Sequence, residues 1–122
     1  MSNEEMGRVE IAPEVIQLIA SHAASQVKGV ASLKGGVVGD LNQLFGRKNL
    51  RQGVKVELGE NIQIAIAIVV QYGYQMVQVG KEVQAYVKQQ VEEMTSLEID
   101  EVVVQIVGVQ FPQSEERVQR VK

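Results

Sequence analysis

Residues 62–70 read Ile62-Gln-Ile-Ala-Ile-Ala-Ile-Val-Val70, and this stretch decides the fold. Ile62, Ile64, Ile66, Ile68 and Val70 recur at every second position. A strand sends alternate side chains to opposite faces, so these five share one face. A helix, turning about 100° per residue, would scatter them around its circumference. The stretch therefore predicts the central strand of a sheet, with its isoleucine side in the core. The opposite side carries Gln63, Ala65, Ala67, Val69 and Gln71, which is small and only half polar.

Working outward, Val54-Lys-Val-Glu-Leu58 alternates in the same way, and Gly59-Glu60-Asn61 is turn chemistry, so 54–70 predicts a hairpin. Tyr72-Gly73-Tyr74 closes it. Over 75–94, Met76, Val79, Gly80, Val83, Val87, Val91 and Met94 fall on one helical stripe, with Gln78, Lys81, Glu82, Gln89, Glu92 and Glu93 facing away. Glu92 and Glu93 stand at the negative end of that helix, where carboxylates are unfavourable. Residues 98–111 predict a last strand. Val102, Val104 and Ile106 alternate there with Val103, Val107, Val109 and Phe111; both faces are apolar, so both should be at least partly covered. Pro112 ends it.

Toward the N-terminus, 13–28 predicts an amphipathic helix buried through Val15, Ile16, Ile19, Ala20, Ala23 and Val27. Pro13 suits the first helical position, Glu14 the positive helix start, and Gly29 the stop just past the end. Gly7-Arg-Val-Glu-Ile11 reads as a short first strand. The resulting order, β-α-β-β-α-β, predicts an α+β, ferredoxin-like two-layer sandwich with two helices on one face of a mainly antiparallel sheet. If 7–11 is too short to pair, α-β-β-α-β on a three-stranded sheet remains. Residues 1–6 are then a frayed N-terminus, 7–111 one domain with a long loop over 31–53, and 112–122 a charged tail.

Composition narrows the chemistry. The 122-residue chain has no Cys, one His, no Trp and a net charge of −3. Disulfides, thiolate catalysis and Cys-based zinc sites are excluded, and a cytosolic protein is the simplest reading. No apolar run is long enough to span a bilayer, and no signal peptide is visible. His22 has Gln26, not an acid, at i+4, so it reads as a helix-edge His rather than a base or ligand. Lys34-Gly-Gly-Val-Val-Gly-Asp40 lacks the preceding strand and the Gly-Lys-Ser/Thr of a phosphate loop. With Arg47, Lys48 and Arg51, the 31–53 segment still offers an anion- or small-molecule-binding alternative. Glu92, Glu93, Glu98, Asp100 and Glu101 lack the spacing of a calcium loop and read as solvated charges. Tyr72 and Tyr74 follow the central strand rather than lying within it, so the sheet is not the stacking platform of an RNA binder. No catalytic, cofactor or metal residue is assigned. The outer sheet face, Ala65, Ala67 and Val69 beside Val103, Val107 and Val109, is expected to serve self-association or partner docking.

A series of short pieces also carries a family likeness. It runs from Gly7-Arg-Val-Glu-Ile-Ala-Pro-Glu-Val-Ile16 through Gln26-Val-Lys-Gly-Val30, Leu44-Phe-Gly-Arg-Lys48 and Gly53-Val-Lys-Val-Glu57. It continues with Val69-Val-Gln-Tyr-Gly73, Val83-Gln-Ala-Tyr-Val87, Val91-Glu-Glu-Met-Thr-Ser-Leu97 and Val102-Val-Val104. Together they resemble the alkaline-shock-protein family of Gram-positive bacteria, the Gls-type general or envelope stress response proteins, and within it the short, soluble YqhY/YloU-like branch. One departure is Ser96, where the pattern has Gly; that bears on whether a tight left-handed turn can form there. The resemblance implies a non-enzymatic envelope stress response protein with no cofactor. It implies a cytoplasmic location, with membrane association only through a partner, and a link to fatty-acid synthesis, in particular acetyl-CoA carboxylase. The combined expectation is an adaptor or regulator that oligomerises and binds proteins rather than nucleic acid. Phe45 would be an apolar anchor, with Arg47, Lys48 and Arg51 orienting the encounter.

Overall fold

The computed structural model of the protein describes residues 6–33 and 53–112. Six elements follow in order: α1 (Pro13–Gln26), β1 (Val30–Leu33), β2 (Val54–Glu57), β3 (Gln63–Gln71), α2 (Met76–Thr95) and β4 (Glu101–Gln110). β3 is the centre of the sheet. β4 runs parallel to it along its whole length, from Gln63↔Glu101 to Gln71↔Gln110. Its other edge is shared by two antiparallel strands placed end to end. β2 pairs the first half (Val54↔Ile66, Glu57↔Gln63) and β1 the second (Val30↔Val70, Leu33↔Ile68).

The alternation of β3 sets the layers. Ile64, Ile66, Ile68 and Val70 are at most 1% exposed and form one core with both helices. Helix α1 contributes Ile16, Ala20, Ala23 and Ala24, packing over β1 and β2. Helix α2 contributes the i, i+4 row Val79, Val83, Val87 and Val91 and packs over β4, with Gly80 close to Val104 and Ile106. The parallel β3–α2–β4 crossover follows from geometry: a helix long enough to traverse the sheet returns the chain to the end at which β3 began. The architecture is α+β, with two helices on one side of the sheet.

The expected strand at 7–11 does not form. Val9 is 93% exposed, and only Ile11 of that segment packs on the core. Both edges of β3 are taken, by β1 and β2 on one side and β4 on the other, so this segment has no place beside the central strand. The strand that completes the sheet is β1, which runs from Val30 into the start of the stretch read as loop 31–53. A bulge between Val30 and Ser32 puts both Val30 and Leu33 inward at a spacing of three, which breaks the period of 2 by which a strand is recognised. The rest of that loop, 34–52, and the tail 113–122 lie outside the described residues. Smaller differences sit at element ends. Leu58 lies beyond β2 and is 46% exposed, while Met76 and Met94 at the ends of α2 are 42% and 66% exposed.

The exit of α2 resolves two oddities of the sequence. Ser96 adopts the left-handed conformation, φ 63°, so the tight turn forms without glycine. Holding a β-carbon there costs about 1 kcal/mol, so Ser96→Gly is expected to stabilise the fold by up to that amount, raising the urea midpoint. Glu92, at the unfavourable helix end, is occupied. Its carboxylate accepts from Lys88 Nζ at 2.7 Å and from the Ile99 N–H at 2.9 Å, while Lys88 Nζ also donates to the Ile99 carbonyl at 2.7 Å. The pair thus grips both backbone polar groups of Ile99 and fixes where β4 begins.

The Lys88 hydrogen bond, then that of the Ile99 N–H, hold the Glu92 carboxyl below the ordinary carboxylate range against an opposing contribution from burial. A lowered folded value means the contribution is present above the unfolded pKa and is lost as pH falls through the folded one. The stability gap between wild type and Glu92→Gln is therefore expected to be constant at neutral pH and to close on acidification below about pH 4. Chemical unfolding of both proteins across that range would read it; a gap that widens in acid would reverse the assignment.

Candidate functional site

The side of the sheet away from the helices carries the candidate site. Register places Lys55, Ala65 and Val103 in one row, Glu57, Gln63 and Glu101 in the next, and Gln71 beside Gln110 at the far end. No helix among the described residues lies over this side. At its centre Ala65 and Val69 are half-buried and Ala67 is 8% exposed, while Val103 and Val107 are 39% and 50% exposed. The patch is thus an apolar centre framed by Gln63, Gln71, Gln105 and Gln110, and among the described residues its charges are Lys55, Glu57 and Glu101. Such a surface favours a partner that buries aliphatics at the centre and meets amides at the rim.

Two expected features of this face need correction. β4 carries a bulge where Val69 meets Gly108, one residue later than the preceding register. The extra residue reverses parity, so Val109 pairs with Val70 on the helix-covered side and does not belong to the outer face. Ala67 is enclosed by its neighbours, so Val103 and Val107 are the residues that present surface.

Elsewhere among the described residues the ionisable groups do not converge. His22 is exposed on α1, and its carbonyl accepts the Ser25 hydroxyl at 2.7 Å. The Ser21 and Thr95 hydroxyls likewise go to helix carbonyls, those of Leu18 and Val91. No group of three His, Asp or Glu among the described residues could hold a metal ion. Asp100 accepts the Ile62 N–H at 2.6 Å, a structural contact that starts β3. Phe45, Arg47, Lys48 and Arg51, and the glycine-rich 34–40, lie outside the described residues. A feature that sequence reasoning missed is the stack of Tyr72 on Phe111, ring centroids 4.8 Å apart, with both residues more than half exposed. The parallel pairing of β3 and β4 brings their ends together, and the length of the intervening helix was the signal for it.

A model of the ASP23 family, described as having a cell envelope-related function, matches residues 1–111. The chain belongs to the ASP23 family. Among curated members, YqhY of Bacillus subtilis (strain 168) is 43% identical over 115 residues, covering 93% of this chain and 85% of that one. YloU of the same strain is 32% identical over 106 residues, 84% of this chain and 88% of its own. A stress response regulator gls24 homolog of Streptococcus pyogenes serotype M3 is 28% identical over 105 residues, 84% of this chain and 59% of that protein. These relatives place the ASP23-family chain with stress-response proteins of envelope-related function. Among solved structures, a variant of the MamM CTD superposes with a TM-score of 0.50 at 17% identity, over 81% of this chain and 100% of that one. That likeness is one of fold, and the fold is ferredoxin-like. No described helix of this family member is long and apolar enough to cross a membrane.

Proposed function

We propose that this ASP23-family protein acts as a non-catalytic adaptor or regulator of the envelope stress response, engaging protein partners through the outer face of its sheet. The observation that carries the reading is the exposure of Val103 and Val107 beside Ala65 and Val69 on a side that no described helix covers. Phe45, Arg47, Lys48 and Arg51 are assigned to the same encounter, the ring as an anchor and the cations for orientation and rate. The fatty-acid link implied by the family branch makes acetyl-CoA carboxylase the first partner to test, with any membrane contact made through a partner.

Ala65→Glu is the informative variant. Ala65 lies opposite Lys55 on β2, so a carboxylate there finds a cross-strand cation and the fold is retained. Capture of purified carboxylase subunits by the immobilised protein should fall at least tenfold, with the circular dichroism spectrum unchanged. Equal capture by wild type and variant, or none by either, would end the carboxylase reading. A melting temperature raised by acyl-CoA, phosphate or nucleotide in the absence of any protein capture would replace the adaptor with a small-molecule binder.

A further inference from the structure

The free side of β4 is the place in the molecule where an unsatisfied surface and its complement are the same segment. β4 pairs with β3 along one side, and among the described residues no strand lies along the other. An exposed edge is a template for pairing, and monomeric proteins blunt theirs with Lys, Pro, bulges or a covering element. β4 has one charge, Glu101 at its first position, and no Lys, Arg or Pro within its ten residues. Its blunting is confined to the ends. Gln84 Nε2 of α2 donates to the Val102 carbonyl at 3.0 Å, and Lys88 Nζ to that of Ile99 at 2.7 Å. At the other end the ladder is broken by the bulge at Val107 and Gly108. Among the described residues nothing pairs with the stretch between, which runs from Val103 to the rim of the bulge at Val107.

That stretch reads almost the same in both directions: Val103-Val104-Gln105-Ile106-Val107. We propose that two copies of this chain pair edge to edge through β4, antiparallel about a twofold axis at Gln105. A twofold contact must be complementary to itself, which a palindromic strand satisfies. In this register Val103 stands opposite Val107 of the second copy on the outer face. Val104 stands opposite the second copy's Ile106 on the helix side, and the two Gln105 amides meet at the axis. Opposed residues in antiparallel strands keep to the same face, so no core side chain is turned to water. The exposed Val77 stands seven residues, about two turns, before Gln84 on the same stripe of α2. The pairing would join two outer faces into one continuous surface that presents the partner patch twice. Only this consequence rests on the adaptor reading; the pairing does not.

Charge placement tests the register. Wild type in sedimentation equilibrium at high micromolar concentration should give twice the chain mass. V103K/V107K sets lysines against lysines across the axis and should give the mass of one chain. V103K/V107E sets opposite charges against each other and should restore the doubled mass. The chain has no cysteine, so Gln105→Cys reports the axis directly: under mild oxidation it should form a covalent dimer, while Gln63→Cys, on the same face but on β3 and away from the axis, should not. A wild type of single-chain mass, equal masses for the two double variants, or no crosslink from Gln105→Cys would each overturn the proposal. If V103K/V107K fails to fold, the crosslink decides alone. Ala65→Glu changes no residue of β4 and lies one strand away from the proposed contact, so loss of carboxylase capture by a protein that stays dimeric separates the two readings.

Discussion

Ile68→Ala is expected to destabilise the protein by about 4 kcal/mol, the upper part of the range for truncating a fully buried aliphatic residue. Ile68 is 0% exposed and sits where three strands meet, with Leu33 of β1 opposite on one side and Ile106 of β4 on the other. Removing three carbons forfeits their transfer free energy and leaves a void. The strands around it are held by ladders on both edges and cannot collapse inward to fill it. Against a typical total of about 5–15 kcal/mol, such a loss would leave a marginal fold. Urea unfolding monitored by circular dichroism reads it directly. A cost under about 1 kcal/mol would mean that this layer is not packed as described.

Gly29→Ala should cost roughly 3 kcal/mol, from two sources that can be separated. Gly29 has φ +100°, a conformation that L side chains rarely adopt. A β-carbon there would also meet Val79 Cγ2 at 2.8 Å and Tyr74 Cδ2 at 3.0 Å, and Val79 is a core residue with little room to move. The carbonyl of Gly29 accepts the Gln71 N–H at 2.8 Å, so relaxing the turn would pull β1 from the end of β3. Gly73 supplies the control. Its φ is +104°, but nothing lies within 4 Å of its notional β-carbon, so Gly73→Ala should show the backbone cost alone, about 1–2 kcal/mol. Equal losses at the two sites would remove the steric half of the argument.

The face that carries the proposed function was readable in part. Ala65, Ala67, Val69, Val103 and Val107 were assigned to one side from alternation; the register keeps the first four there, and Val107, unpaired at the bulge, is 50% exposed. Val109 was not, because alternation carries parity forward only while the strand is regular. Likewise Val30 and Leu33 gave no strand signal because their spacing of three contains a bulge. The Lys88–Glu92 grip on Ile99 was invisible for a different reason: Ile99 follows a left-handed turn, and the chain's path through Ser96 decides which peptide the pair can reach.

The amino-acid sequence alone determined which side chains are inward along β3, where the two helices run, and that a helix must carry the chain back across the sheet. These follow from side-chain periods of 2 and 3.6, which are local properties of the backbone. Tertiary structure alone decided that β1 and β2 share one edge of β3, that two bulges reset parity, and that among the described residues β4 pairs on one side only. Pairing partners and bulges are chosen by competition among strands for a limited number of backbone hydrogen-bonding edges, and no stretch of chain contains the other contestants.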